Sequence, residues 1–137
     1  MRLLRLITFI SYAFFVFLFS GCSENSKKAT NTGKCFLENM YTCNFKACDA
    51  LCTDDGREVV RWFASNLTDE DLALISNEVK IEVEESEITK DYASIVYTAK
   101  NVIICDSLET NGHIGNRSLK MILKNINGTW KVDRLEW

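Results

Sequence analysis

The sequence contains no proline, a single histidine and only six glycines among its 137 residues. Because proline is missing, glycine and asparagine must make the turns. One histidine, His113, gives little scope for imidazole-based chemistry. The six cysteines also include no C-x-x-C pair of the kind used in redox motifs and zinc sites. These absences argue against a thioredoxin-like enzyme and against a metal site.

Positive charge is also in short supply. Lysine and arginine number 16 against 19 aspartates and glutamates, so the formal net charge is -3. Proteins that bind phosphate backbones need clustered lysine and arginine. We therefore expect no nucleic-acid partner. The same acidic balance argues against the domain lying flat on an anionic lipid surface.

The N-terminal residues have the three regions of a secretory signal peptide. Arg2 and Arg5 precede an apolar run at residues 6–19, and a pair of small residues follows that run. The uncharged stretch is shorter than the ~20 residues that a membrane-spanning helix normally needs. We therefore predict a cleaved signal peptide at residues 1–21 in preference to a transmembrane anchor.

The segment Phe19-Ser20-Gly21-Cys22 resembles the lipobox of bacterial lipoproteins. This resemblance implies that Cys22 is diacylated, becomes the new N-terminus and anchors the protein to a membrane of the cell envelope. Two acyl chains hold a protein stably at a bilayer, whereas one chain gives only marginal binding. Ser23 stands where an inner-membrane retention signal would have Asp, which implies the outer membrane, facing the periplasm. The alternative is a plain cleaved signal with Cys22 as an ordinary cysteine.

The chain that follows divides into a short linker and one domain. Residues 23–32 are small and polar without apolar periodicity, a composition typical of flexible tethers. Residues 33–137 have the length of one ordinary domain. We predict a tether at 22–32 and a single domain over 33–137.

Beyond Cys22 there are five further cysteines: Cys35, Cys43, Cys48, Cys52 and Cys105. An exported protein can form disulfides, although the sequence does not determine which cysteines pair. The four nearest the N-terminus lack the paired spacing of a structural zinc site. We therefore expect no bound metal, and a disulfide from Cys105 to one of the other four.

Hydrophobic periodicity changes from helical to alternating near Val79. Before this point, helices are expected at about residues 33–42, 45–52 and 57–66, and a fourth after a Thr68 N-cap. After it, apolar and polar residues alternate on successive strands, and Asn127-Gly128 makes the last hairpin. Residues 106–116 are predicted as a loop. Helices followed by antiparallel strands predict an α+β fold.

Two stretches resemble NTF2-like domains, including those of small DUF4878-type bacterial lipoproteins. Residues 34–40 with Asn44-Phe45-Lys46-Ala47-Cys48-Asp49-Ala50-Leu51 are similar to the opening helices of such domains, and residues 123–132 are similar to their closing hairpin. The resemblance implies N-terminal helices packed on a curved antiparallel sheet that forms a cone open at one end. It also implies an interior for a small apolar ligand, or a face for a second copy in a homodimer.

No catalytic set of this superfamily maps onto the sequence. Its isomerases and dehydratases line the cone with an Asp base, a Tyr/Asp pair or a His/Asp pair. Here Asp49 and Asp71 fit helix-surface or capping positions, and His113 falls in the polar loop. Three tyrosines fit the edge of the core: Tyr41, Tyr92 and Tyr97. We therefore expect no catalytic residue, no cofactor and no enzymatic activity.

The tryptophans are expected mainly in the core. Trp62 and Trp130, with Phe63, recur at core-facing spacings and predict packing. Trp137 either closes the last strand against a helix or forms an exposed anchor for a partner. Packing is favoured because most large aromatic side chains are largely buried.

The sequence thus predicts a membrane-anchored envelope lipoprotein that binds a small apolar ligand or a protein partner without catalysis. One alternative is an outer-membrane assembly or structural lipoprotein, which would present an exposed apolar patch. Another is a small isomerase or hydrolase, which would need two titratable groups in one closed pocket. The interior of the domain is the feature that separates these functions.

Overall fold

The computed structural model describes residues 24–105 and 112–137. Cys22 and the predicted signal peptide lie outside this part of the chain. Within the described residues, four helices precede four strands: α1 (24–41), α2 (Phe45–Ala50), α3 (Asp54–Asn66), α4 (Asp69–Leu74), β1 (Lys80–Ile88), β2 (Tyr92–Ile104), β3 (His113–Ile126) and β4 (Thr129–Glu136). Over the described ranges, none of the helices combines the length and the apolar character needed to cross a bilayer.

The strands form one antiparallel sheet in the order β1-β2-β3-β4, curved and not closed into a barrel. Each pair of neighbouring strands has one register shift, and such bulges bend a strand and increase its twist. In β2 the shift includes Asn101, whose φ of 59° is in the left-handed region that asparagine tolerates. The predicted α+β architecture, helices first and a curved antiparallel sheet afterwards, is confirmed.

The core lies between the helices and one face of this sheet. Helix α1 contributes an apolar stripe, and β2 and β3 contribute alternating residues that are almost fully buried. The larger of these side chains are Phe36, Leu37, Met40, Tyr41, Ile95, Tyr97, Leu119, Met121 and Leu123. Burial of each stabilises the fold by roughly 1.5–3 kcal/mol, so α1 is held firmly against the sheet.

Residues 24–32 belong to helix α1, which corrects the prediction of a flexible tether there. Ala29 is fully buried, and the carbonyl oxygen of Thr30 accepts a 2.9 Å hydrogen bond from the Tyr97 hydroxyl. Most helical stability in proteins comes from tertiary packing, so a polar stretch can be helical when such contacts exist. The folded domain therefore includes residue 24 onwards and does not start at residue 33.

Two further boundaries differ from the sequence-based expectation. Residues 54–56, expected to end the second helix, form the first turn of α3, where the Thr53 hydroxyl accepts a hydrogen bond from the Gly56 amide at 3.2 Å. Residues 113–116, expected in a loop, are the start of β3. They are strand because β2 continues to Ile104 and pairs with them.

Candidate functional site

Two tryptophans are exposed side by side where α3 meets the end of β4. Trp62 is 46% exposed and Trp137 is 48% exposed. Their ring centroids are 5.2 Å apart and their planes are tilted by 31°. An open groove of about 410 Å³ is lined by Glu58, Val59, Trp62, Leu135 and Trp137. These five residues are called the tryptophan surface below.

Helix α3 turns Trp62 outwards because its neighbours face the core. Thr53 caps the helix and two aspartates occupy its first turn, which complements the helix dipole. Val60 and Phe63 are buried, and the Phe63 ring packs edge-on against Tyr41 at 5.5 Å. Successive residues on a helix are about 100° apart, so Trp62 cannot share the direction of Phe63. The prediction that Trp62 packs in the core is therefore wrong.

Strand β4 places Trp137 next to Trp62. Side chains two residues apart lie on the same face of a strand, so Trp137 shares the face of the buried Leu135. The register shift at Ile122/Leu123 sets that face, because Ile122 pairs with Arg134 and Leu123 pairs with Val132. Trp137 follows Glu136, the last residue of the strand, and its ring packs against the Trp62 ring on α3. About half of its surface is nevertheless left open to solvent.

Charged groups lie within and beside the tryptophan surface. The guanidinium carbon of Arg117 on β3 lies 5.8 Å from the centre of the Trp137 ring, within the range of a cation–π interaction. On α3, Glu58 forms a 2.9 Å ion pair with Arg61, and both side chains are well exposed. An exposed pair of this kind contributes little to stability. The surface is thus mainly aromatic and aliphatic, with the Arg117 guanidinium beside Trp137 and the Glu58–Arg61 pair on α3.

A buried carboxylate, Asp71, lies elsewhere in the domain. Its side chain accepts hydrogen bonds from the backbone amides of Thr68, at 2.9 Å, and Gly112, at 3.0 Å, and the Cys105 sulfur lies 3.7 Å away. The Thr68 amide is the main reason that the pKa of Asp71 is lowered, despite the opposing effect of burial. Asp71 completes a capping box with Thr68 at the start of α4, which confirms the capping role predicted for it.

Four of the cysteines predicted as disulfide candidates lie in the helical part. Cys35 is exposed on α1, Cys43 follows α1, Cys48 is buried on α2 and Cys52 is buried just after α2. Burial raises the pKa of Cys48 to about 12, with a further contribution from Cys52, and burial also raises the pKa of Cys43 and of Cys52. These three thiols are protonated at neutral pH and are poor nucleophiles.

The sulfur of Cys105, the fifth cysteine, lies 3.7 Å from the Asp71 carboxylate. No disulfide joins the cysteines within residues 24–105 and 112–137. The structure therefore does not show the disulfide expected from Cys105, and its pairing stays a prediction. Over the same residues, no group of three or more His, Cys, Asp or Glu side chains is arranged to hold a metal ion.

The remaining residues considered for catalysis are not brought together. His113 is the first residue of β3 and is exposed. Tyr41 and Tyr97 are buried in the core and Tyr92 is 43% exposed, so the three tyrosines do not share the core-edge position predicted for them. Burial raises the pKa of Tyr97, whose hydroxyl donates to the Thr30 carbonyl. Asp49 is exposed on α2, as predicted for a helix-surface residue.

No protein-family model matches the sequence, and no curated protein matches it either. Solved structures do match its fold. An NTF2-like protein of unknown function from Methylobacillus flagellatus KT superposes with a TM-score of 0.57 at 12% identity, over 82% of this chain and 89% of that chain. A candidate dehydratase of the NTF2-like family from Streptomyces avermitilis superposes with a TM-score of 0.54 at 14% identity, over 82% and 94%. At such low identities the likeness shows the fold alone, and that fold is NTF2-like.

Proposed function

We propose that this NTF2-like domain is the binding module of a lipid-anchored bacterial envelope protein, and that its tryptophan surface receives an apolar side chain of a protein partner. The observation that carries the proposal is the exposed Trp62–Trp137 pair. Burying apolar area is the main driving force of protein association, and these two rings leave a large apolar area in water. Trp and Arg are also the residues most enriched at binding hot spots.

The shape of the site favours a protein segment over a small apolar ligand. Small-molecule pockets enclose most of the surface of their ligand, whereas this groove is largely open to solvent. A side chain inserted into the groove would contact both tryptophans, because both line it. Arg117 and Glu58 would then contact the backbone or polar groups of the partner.

Binding without catalysis is supported by the state of the titratable groups in the described chain. Asp71 already accepts hydrogen bonds from two backbone amides, so its oxygens are occupied and its lowered pKa makes it a weak base. The Tyr97 hydroxyl is engaged with Thr30. An isomerase or hydrolase would need two titratable groups facing one cavity. Here Asp71 caps α4, and Tyr97 packs against α1.

The membrane anchor is supported by the sequence of residues 1–22. Basic residues, an apolar run and the lipobox-like Phe19-Ser20-Gly21-Cys22 are the features that direct diacylation of a cysteine. On this proposal Cys22 holds the domain at the periplasmic face of the outer membrane, and the partner is an envelope protein. An assembly or structural role in that membrane is the related alternative, because it too would use an exposed apolar patch.

Site-specific photo-crosslinking in the full-length protein tests the binding surface. A photoreactive phenylalanine replaces Glu58 in cells that make the protein, and a second strain carries it at Glu85 on β1. We expect one defined protein adduct from position 58 and none from position 85. Trp62→Ala in the position-58 strain should abolish the adduct, whereas Leu72→Ala, which removes a side chain of similar exposure, should leave it.

Four results would contradict the proposal. They are the absence of an adduct at position 58, an adduct that survives Trp62→Ala, an adduct with a small molecule, or an adduct between two copies of this chain. The last two would assign the surface to a small apolar ligand or to homodimer formation. Mass spectrometry of the adduct separates these outcomes.

A further inference from the structure

We infer that the domain stands on the membrane with the turns of its two hairpins facing the bilayer and its tryptophan surface pointing away. The hairpin end is defined here as residues 24–28, 88–92 and 124–131. The inference rests on the proposed lipid at Cys22, and it adds an orientation that the anchor alone does not give.

Covalent geometry places the lipid close to the hairpin end. Cys22 precedes Asn25 by three residues, so their Cα atoms are at most about 11 Å apart in any conformation. The Asn25 side chain is fixed between the two hairpins: its oxygen accepts a 3.1 Å hydrogen bond from the Trp130 indole, and its amide donates a 3.2 Å bond to the Thr89 carbonyl. A bilayer that holds the acyl chains therefore lies next to both turns.

The two turns form a single surface. The Asn125 backbone amide donates to the Asp91 carbonyl at 2.9 Å, and the Asn125 side chain donates to the Lys90 carbonyl at 3.0 Å. These bonds tie the β1–β2 turn to the start of the β3–β4 turn. Because Asn25 of α1 is bonded to the same two hairpins, the start of α1 and both turns form one rigid unit.

The chemistry of the hairpin end suits a headgroup layer. It has two carboxylates, Glu24 and Asp91, and five lysines: Lys27, Lys28, Lys90, Lys124 and Lys131. Lys124 is paired with Asp133 at 3.1 Å and Lys131 donates to the Ala50 carbonyl, so Lys27, Lys28 and Lys90 are the lysines that would face headgroups. Tyr92 and Ile126 are 43% and 47% exposed beside these lysines. Lysine and tyrosine are typical of the interface between bilayer and water, and this local excess of lysine contrasts with the net charge of -3 for the whole chain.

The tryptophan surface is at the opposite end of β4. Trp137 is seven positions after Trp130, which corresponds to at most about 24 Å along an extended chain. With the hairpin end on the headgroups, Trp62 and Trp137 face the aqueous compartment. A partner would therefore reach them without entering the bilayer.

Lipid crosslinking in native membranes tests this orientation. A photoreactive residue replaces Lys90 at the hairpin end or Lys80, an exposed lysine at the start of β1, in the full-length protein. We expect lipid adducts from position 90 and none from position 80. In a second variant, a Gly/Ser spacer of about twelve residues between Ser23 and Glu24 adds roughly 20 Å of reach. It should reduce the position-90 adduct to the position-80 level.

Alkyne-palmitate labelling of the same samples separates the orientation from the anchor. Palmitate labelling with equal lipid adducts at positions 90 and 80 would overturn the orientation alone. A position-90 adduct that persists with the spacer would overturn the claim that the short connection sets the orientation. If the label is absent from the protein without the spacer, both the proposed anchor and the orientation fail.

Discussion

Asp71 shows how a single buried side chain connects distant parts of this fold. Its carboxylate joins the start of α4 to Gly112, which immediately precedes β3, and lies beside the Cys105 thiol at the end of β2. A carboxylate that accepts several hydrogen bonds in the folded state is more acidic there than in the unfolded chain. The local sequence predicts the capping box, but the contacts with Gly112 and Cys105 depend on the tertiary structure.

Asp71→Asn should destabilise the protein by about 1–2 kcal/mol at neutral pH, since it weakens a capping box and puts an NH₂ group against a backbone donor. The folded pKa of Asp71 is below its ordinary value of 3.8, so the stability that its charge contributes is present above that value and lost as the pH falls through the folded pKa. Urea unfolding at several pH values should show the difference from the unsubstituted protein shrinking in acid.

The exposed Asp69→Asn on the same helix is the control for this measurement, and it should change stability by less than about 0.5 kcal/mol. A pH-independent difference for Asp71→Asn would contradict the role assigned to the charge.

Tyr97→Phe should destabilise the protein by about 1 kcal/mol, because it removes the hydrogen bond that the buried Tyr97 hydroxyl donates to Thr30. Tyr92→Phe, on an exposed ring, should have no measurable effect. Chemical denaturation of both variants checks the pair. Equal stability of Tyr97→Phe and the unsubstituted protein would mean that residues 24–32 are not docked as α1.

At the scale of elements, close approach between α1 and the sheet explains a glycine in the middle of a helix. A Cβ on Gly33 would overlap the Tyr97 hydroxyl oxygen and lie 2.8 Å from the Met121 sulfur. Both atoms belong to buried side chains, so they have little room to move. The helix can approach β2 and β3 this closely only because residue 33 has no side chain.

Gly33→Ala should therefore lower stability by about 1–3 kcal/mol through overpacking, although alanine is the better helix former by roughly 1 kcal/mol. The matched control is Asn31→Ala at an exposed position of the same helix, which should be neutral or slightly stabilising. Thermal unfolding of the two variants distinguishes overpacking at residue 33 from the general gain in helix propensity that alanine gives. A Gly33→Ala protein as stable as Asn31→Ala would show that α1 does not lie this close to the sheet.

Hydrophobic periodicity was enough to predict α2, α4, the hairpins and the α+β order, because those patterns are local. It was not enough for the N-terminal part of α1, whose polar residues are held by Ala29 and by the Thr30–Tyr97 bond. The start of β3 was missed for a related reason. Residues 113–116 become strand because they pair with the end of β2. The sequence of residues 113–116 alone does not indicate that β2 extends far enough to pair with them.

At the scale of the whole molecule, an NTF2-like fold does not by itself name a function. The tryptophan surface combines α3 with a residue beyond β4, and Arg117 of β3 lies beside it. Its geometry depends on a register shift between β3 and β4. The sequence could not place Trp62 and Trp137 together, although the adjacent Trp62 and Phe63 on one helix were a signal that one of them must face outwards.

Compartment, orientation and partner all depend on the lipid proposed at Cys22, so labelling that residue is the most direct measurement. Cells that make the full chain are fed alkyne-palmitate, and the protein is compared with Cys22→Ala and with Cys35→Ala, which removes an exposed cysteine. We expect labelling of the unsubstituted protein and of Cys35→Ala, and complete loss in Cys22→Ala. Equal labelling of all three proteins, or no labelling of the unsubstituted protein, would contradict a lipid anchor at Cys22.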